Sequence, residues 1–148
     1  MKRLFLLSTY CMILISYMVS TPPMIQAEKK EQPINIEKSV TDKDITFTIN
    51  HYEKKDGKLT IYYTVTSEQS VLKENKIGYQ FMDRPHFYIN QKHLNVSFRE
   101  NQSKINDHKF TGFVSLDLEN LKSEHYNFTI TTDRIAEQVG IWKLSINI

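Results

Sequence analysis

Histidine has the widest chemical range of the residue types in this chain, because a neutral imidazole can bind a metal or transfer a proton near neutral pH. The five histidines are His51, His86, His93, His108 and His125. Their spacing matches neither H-E-x-x-H nor another carboxylate-flanked metal motif. Across a short turn at Asn90, His93 is expected opposite Tyr88. His86 falls opposite Asn95, so the hairpin is not expected to join the two imidazoles, and the sequence predicts neither a metal site nor a cofactor.

Nucleophilic catalysis lacks its usual residues. The single cysteine, Cys11, lies in an apolar N-terminal segment, and no G-x-S-x-G motif is present. The four glycines are too scattered to cradle a phosphate or an oxyanion. We therefore predict a protein that is not an enzyme. An exported enzyme that pairs side chains from different strands, such as Asp83 with His86, stays open.

The charge balance argues against nucleic acid as a partner. Lys and Arg total 19 against 17 Asp and Glu, and two of the cations, Lys2 and Arg3, precede the apolar segment. Without these two, the charges cancel, and acids alternate with lysines instead of forming a cationic patch. Affinity for phosphate backbones depends on clustered cations.

The first 27 residues have the organisation of an export signal. Lys2 and Arg3 precede an apolar run from Leu4 to Val19, and a break at residues 20–23 leads to the small residue Ala27. We predict cleavage between Ala27 and Glu28, although Ile25 is bulkier than the residue that peptidases prefer there. An uncleaved membrane anchor is the alternative. Residues 28–33 are charged and end in proline, which predicts a flexible tether before a domain at 34–148.

The absence of cysteine from the remaining 121 residues indicates the cell type. Small extracellular domains of higher organisms usually contain disulfides, whereas proteins secreted by Gram-positive bacteria often do not. We therefore expect a protein secreted from, or held at the surface of, a Gram-positive cell.

Apolar residues recur at every second position through most of residues 34–148, which predicts β-strands with one buried face. Eight such segments occur without an intervening amphipathic helix, and this favours a β-sandwich over a parallel α/β sheet. The predicted core consists of Ile45, Phe47, Ile49, Leu59, Ile61, Tyr63, Val65, Val114, Leu116, Ile130, Trp142, Leu144 and Ile146. Trp142 alternates with aliphatic residues and is assigned to this core; an exposed Trp142 would instead be a platform for sugar stacking.

The succession of these segments resembles a known family. Its parts are Ile36–Val40 with Asp44–Asn50, an L-x-I-x-Y-x-V strand at Lys58–Thr66, a hairpin that begins at Pro85, Phe110–Gly112, and Gly140–Lys143. This order is similar to an immunoglobulin-like domain of unknown function found in the extracytoplasmic part of Gram-positive anti-sigma factors and related exported proteins. The resemblance implies an immunoglobulin-like antiparallel sandwich of seven or eight strands outside the cell, and it transfers no catalytic residue.

One segment is richer in aromatic residues than a plain sandwich requires. Interface centres are enriched in aromatic residues, Met and Arg. The candidate partner contacts are Tyr79, Phe81, Met82, Arg84 and His86. The structural alternative places these residues in the core or at a strand edge.

The leading hypothesis is an exported, non-enzymatic module that binds or senses a protein or a cell-envelope component. A small secreted hydrolase or toxin-like effector on the same scaffold is the alternative, because fold alone does not separate the two. A structural spacer is a third hypothesis.

Overall fold

Nine antiparallel strands form two sheets in the computed structural model, which describes residues 32–69, 82–83, 85–118 and 125–148. The predicted signal peptide, its cleavage site at Ala27 and Glu28, and most of the tether lie outside the described residues. The strands are β1 (Ile34–Asp42), β2 (Ile45–Lys55), β3 (Lys58–Ser67), β4 (His86–Ile89), β5 (Lys92–His93), β6 (Phe98–Asn106), β7 (Lys109–Asp117), β8 (Asn127–Ile135) and β9 (Gln138–Asn147). Within these ranges there is no helix, and hence none that could span a membrane.

The two sheets have different widths. The five-stranded sheet has the order β1-β2-β3-β7-β6, and the four-stranded sheet has the order β5-β4-β8-β9. The predicted all-β class of two antiparallel sheets is therefore confirmed, and the described residues form nine strands where seven or eight were predicted.

Two-residue turns close the five hairpins of the described strands, and four of these turns share one conformation. Both turn residues have positive φ at Lys43–Asp44, Asp56–Gly57, Asn90–Gln91 and Ala136–Glu137. Positive φ at both positions defines the type I′ turn, whose twist matches that of the strands it connects. Of the four pairs, Asp56–Gly57 has the Asp-Gly sequence that is usual for this turn. The other three pairs lack it, and their strands extend closer to the turn than the residue types indicate.

The apolar side chains meet in one core between the sheets. Every predicted core residue is buried, from Ile45 at 0% exposure to Ile146 at 4%. The period-two interpretation is confirmed for these positions. The core also contains residues outside the predicted set: Tyr52, Met82, Phe87, Ile89, Phe110, Tyr126, Phe128, Ile135 and Ile148.

A β-bulge in β2 explains why the simple alternation ends at Ile49. Ile49 lies opposite Tyr63 and His51 lies opposite Tyr62, so Asn50 is an extra residue in β2. The extra residue shifts the phase by one, which lets Ile49 and Tyr52 both face the core. Asn50 and His51 consequently both face outward.

One of the eight strands predicted from alternation covers His93–Arg99, and this prediction is wrong because the structure divides the segment. Its first residue belongs to β5 in the four-stranded sheet, and its end belongs to β6 in the five-stranded sheet. Strand β6 escaped detection because its half-buried face carries Glu100 and Gln102, so its sequence lacks the apolar alternation that identifies a strand.

Tyr63 places a phenol in the core beside this polar strand. Its ring is fully buried and packs against Phe47 and Phe110, with ring centroids 5.5 and 6.4 Å away. Burial raises the pKa of Tyr63 far above its usual range, and the negative charge of Glu100 adds to the rise, while Gln102 partly opposes it.

The raised pKa of Tyr63 predicts loss of stability in alkaline solution. The folded state favours the neutral phenol, so this contribution is complete below the unfolded pKa of about 10 and is lost as the pH rises above it. We expect the urea midpoint of the wild type to fall between pH 9 and pH 11.5, each an approximate test value on either side of that pKa. The variant Tyr63→Phe keeps the ring but cannot ionise, so its midpoint should fall less. Equal falls in both proteins would contradict the assignment.

Candidate functional site

Three partly exposed rings cross the outer face of the five-stranded sheet. His51 on β2 lies opposite Tyr62 on β3, and Tyr62 lies opposite Phe113 on β7. The ring centroids of His51 and Tyr62 are 4.3 Å apart with the planes stacked at 19°. Those of Tyr62 and Phe113 are 5.9 Å apart at 47°. We call these three residues the ring row.

Amide residues continue the ring row to both edges of the sheet. Asn35 on β1 lies opposite His51, and Asn101 on β6 lies opposite Phe113, and both asparagines are exposed. The row therefore spans all five strands, with a hydrogen-bonding residue at each end.

A row of hydroxyl residues runs beside the ring row. It consists of one residue from each strand of the sheet: Ser39, Thr48, Thr64, Thr111 and Ser103. The Ser39 and Thr48 hydroxyls are hydrogen bonded at 2.8 Å, and the Asn50 amide donates to the Thr64 hydroxyl at 2.9 Å. We call this set the hydroxyl row. Its spacing follows the separation of the strands, so the sheet holds the hydroxyls in a regular ladder.

On the other side of the ring row lie more polar residues. The Thr60 hydroxyl donates to the Ser115 hydroxyl at 3.1 Å. Glu53 on β2 lies opposite Thr60, and Arg99 on β6 lies opposite Ser115. These two residues carry charges of opposite sign. Burial raises the pKa of Tyr62, as do the charge of Glu53 and the hydrogen bond that Tyr62 donates to that carboxylate. This bond orients the Tyr62 ring.

The ring row has a structural and a binding interpretation. Aromatic pairs on neighbouring strands stabilise a sheet by about 0.2–1 kcal/mol each, and this alone accounts for the contact of His51 with Tyr62. Phe113 also contacts Tyr62, in a tilted arrangement, and its outward position keeps it from the core. An apolar ring can contact the C–H faces of a ligand. The hydroxyl and amide groups around the ring can bind the polar groups of the same ligand.

The signal for this site is present in the sequence but weak. Alternation in β7 assigns Phe110, Val114 and Leu116 to the core face, so Phe113 falls on the solvent face. Phe113 therefore is an apolar residue between Thr111 and Ser115 on the same face. The neighbours of Phe113 become visible only when the strand order is known.

The structure divides the predicted contact segment. Tyr79, Phe81 and Arg84 lie outside the described residues, and His86 is exposed. Met82 is fully buried, and it forms an isolated bridge with Ile135. The prediction that Met82 contacts a partner is therefore corrected, because its side chain contributes to the core.

The prediction that the hairpin keeps His86 and His93 apart is wrong. His93 lies opposite Tyr88 as expected, but the ring centroids of His86 and His93 are only 5.8 Å apart. The sequence argument considered directly opposed residues, whereas diagonal neighbours on one face are also within reach of ring side chains.

The remaining candidate residues are placed as follows. Trp142 is fully buried, so its assignment to the core is confirmed and a role as an exposed sugar platform is excluded.

Asp83, the other residue named as a candidate for catalysis, is held against β8. Its backbone N–H donates to the Arg134 carbonyl at 3.1 Å. In the part of the chain that the structure describes, no three His, Cys, Asp or Glu residues form a group that could hold a metal.

Comparison with known proteins supports the fold. No protein-family model and no curated protein matches the chain. A solved structure described as the conserved domain protein from Bacillus anthracis is similar, with a TM-score of 0.58 and 17% sequence identity. The match covers 78% of this chain and 41% of that chain, so this chain spans less than half of its structural neighbour. At 17% identity, this similarity shows a shared arrangement of antiparallel sheets and nothing about function.

Proposed function

We propose that this chain is an exported, non-enzymatic, immunoglobulin-like module that binds a glycan of the cell envelope through the outer face of its five-stranded sheet. The observation that carries the proposal is the ring row, which crosses β2, β3 and β7, continues in one asparagine on each edge strand, and lies beside the hydroxyl row. Glycans present apolar C–H faces together with hydroxyl groups. The rings and the polar rows complement both features.

The chemistry around the rings favours a glycan over a protein partner. The centres of protein interfaces are depleted in serine and enriched in aromatic residues, Met and Arg. Here the rings are bordered by serine, threonine and asparagine, and the adjacent charges of Glu53 and Arg99 are of opposite sign. A neutral surface rich in short hydrogen-bonding side chains suits a neutral, hydroxylated ligand.

The location outside the cell is part of the same proposal. It is supported by the N-terminal segment with the organisation of an export signal and by the absence of cysteine after Cys11. The resemblance to the extracytoplasmic immunoglobulin-like domain of Gram-positive anti-sigma factors and related proteins agrees with it. Such a module would act by contact at the cell surface.

The test measures binding of the protein to purified, protein-free walls of a Gram-positive bacterium. In the double variant Tyr62→Thr/Phe113→Thr, both rings are lost and the β-propensity is kept. Because a ring contact contributes about 1 kcal/mol beyond area burial, we expect the dissociation constant to rise at least about tenfold. The matched control is Ile141→Thr, which removes a 72% exposed apolar side chain from the four-stranded sheet and should leave binding unchanged.

Two further measurements make the outcome decisive. Circular dichroism spectra of the double variant and of Ile141→Thr should match that of the wild type, because the side chains of Tyr62, Phe113 and Ile141 are at least partly exposed. Walls digested with a muramidase should lose the capacity to bind. Equal binding by the double variant would contradict the proposal. If crude walls bind only before protease treatment, the partner is a protein, and the glycan class is wrong.

A further inference from the structure

His86 and His93 form a pair of exposed imidazoles on the outer face of the four-stranded sheet. Their ring centroids are 5.8 Å apart, and the ring planes are inclined at 52°. Both side chains are exposed, so a small ion can reach them from solvent. We call these two residues the histidine pair.

The surrounding hairpin holds the histidine pair in place. Tyr88 lies opposite His93 and packs edge-on against its ring, with centroids 5.2 Å apart at 76°. The backbone N–H of Leu94 donates to the Phe87 carbonyl at 2.8 Å, which extends the pairing of the two strands past His93.

Strand β8 anchors the same hairpin at its turn. The N–H of Asn90 donates to the Asn127 carbonyl at 2.9 Å, and the N–H of Asn127 donates to the Asn90 side-chain oxygen at 3.0 Å. The two imidazoles therefore project from a hairpin fixed by backbone hydrogen bonds. Little chain entropy is lost when a ligand joins them.

We propose that the histidine pair chelates a divalent transition metal ion of the Zn²⁺ and Cu²⁺ class. Imidazole nitrogens lie about 2.1 Å from such ions, so two rings that share one ion have centroids no more than about 6.4 Å apart. The observed 5.8 Å is within this limit. Imidazole is a preferred ligand for zinc, copper and nickel, whereas Mg²⁺ and Ca²⁺ prefer oxygen ligands.

The number of ligands determines what kind of site this is. Among the described residues, the histidine pair has no third His, Cys, Asp or Glu that completes a group around one ion. Water therefore occupies the remaining coordination positions. Such a site takes up and releases its ion, in contrast to a closed structural zinc site with four protein ligands.

This inference is independent of the glycan-binding proposal, because the two sites lie on different sheets. The test is a calorimetric titration of the full chain with Zn²⁺, with Mg²⁺ as the negative probe. We expect one Zn²⁺ per chain and no heat of binding from Mg²⁺. His86→Gln and His93→Gln should each raise the dissociation constant for Zn²⁺ at least about tenfold, because each removes one of two protein ligands.

His51→Gln is the matched control, because it makes the same chemical change on the five-stranded sheet. It should bind Zn²⁺ like the wild type. Cu²⁺ should selectively broaden the imidazole proton signals of His86 and His93 in NMR spectra, which identifies the ligands directly. Unchanged affinity in either pair variant would overturn the proposal, and so would an equal loss in His51→Gln. Half a Zn²⁺ per chain with dimer formation would also overturn it, because the ion would then bridge two molecules.

Discussion

Replacement of Trp142 by alanine is expected to lower the free energy of unfolding by about 3–5 kcal/mol. Trp142 is the single tryptophan of the chain and is fully buried. Its indole N–H donates to the Ile45 carbonyl at 2.9 Å, which links β9 of one sheet to β2 of the other. Alanine would leave a large cavity, and the Ile45 carbonyl would lose this bond inside the core. Urea unfolding of the wild type and the variant measures the difference.

A neighbour on the same strand provides the control for Trp142. Ile141 points away from the core and is 72% exposed, so Ile141→Ala should change the free energy of unfolding by less than about 0.5 kcal/mol. Trp142→Phe, which keeps an aromatic ring but loses the N–H donor, should fall between the two. A loss below about 1 kcal/mol in Trp142→Ala would show that the two sheets do not depend on this residue.

The second large effect is expected at Gly112, where any side chain would collide with its neighbours. A Cβ atom at this position would lie 2.5 Å from the Tyr63 hydroxyl oxygen and 2.7 Å from the backbone oxygen of Asn101. Tyr63 is fully buried and Asn101 belongs to the paired strand β6, so neither yields easily. Gly112→Ala should therefore lower the free energy of unfolding by about 1–3 kcal/mol, as measured by urea unfolding.

A double-variant cycle identifies the cause of the loss at Gly112. Tyr63→Leu removes the distal part of the ring that the new Cβ would meet. The loss in Gly112→Ala/Tyr63→Leu should therefore be smaller than the two single losses added together. Thr111→Ala, on the adjacent outward position of β7, should cost less than Gly112→Ala. Strict additivity in the cycle would indicate that the collision with Tyr63 is not responsible.

The alternation of apolar and polar residues was sufficient to predict which side chains are buried in most strands. Ile45, Phe47 and Ile49 alternate with threonine, and the core that this alternation predicted is buried in every member. The same logic failed where a polar residue faces inward, as Glu100 does in β6, and where a bulge at Asn50 changes the phase. In both places the hydrophobic signal is interrupted although the hydrogen-bonded ladder continues.

The candidate sites depended on contacts that the sequence does not encode locally. Tyr62 and Phe113 are 51 positions apart in the numbering and meet because β3 pairs with β7. His86 and His93 meet diagonally across a hairpin, and Met82 is carried into the core by its bridge to Ile135. Which strands become neighbours is decided by the packing of the two sheets as a whole.

The sequence by itself therefore determined the all-β class, the buried face of most strands and the core position of Trp142, because alternation and apolar burial act within a few residues. The tertiary structure alone decided the strand order, which residues meet in the two candidate sites, and the position of Met82. These features depend on pairings between distant segments, whose free energy comes from side chains that only the folded chain brings together.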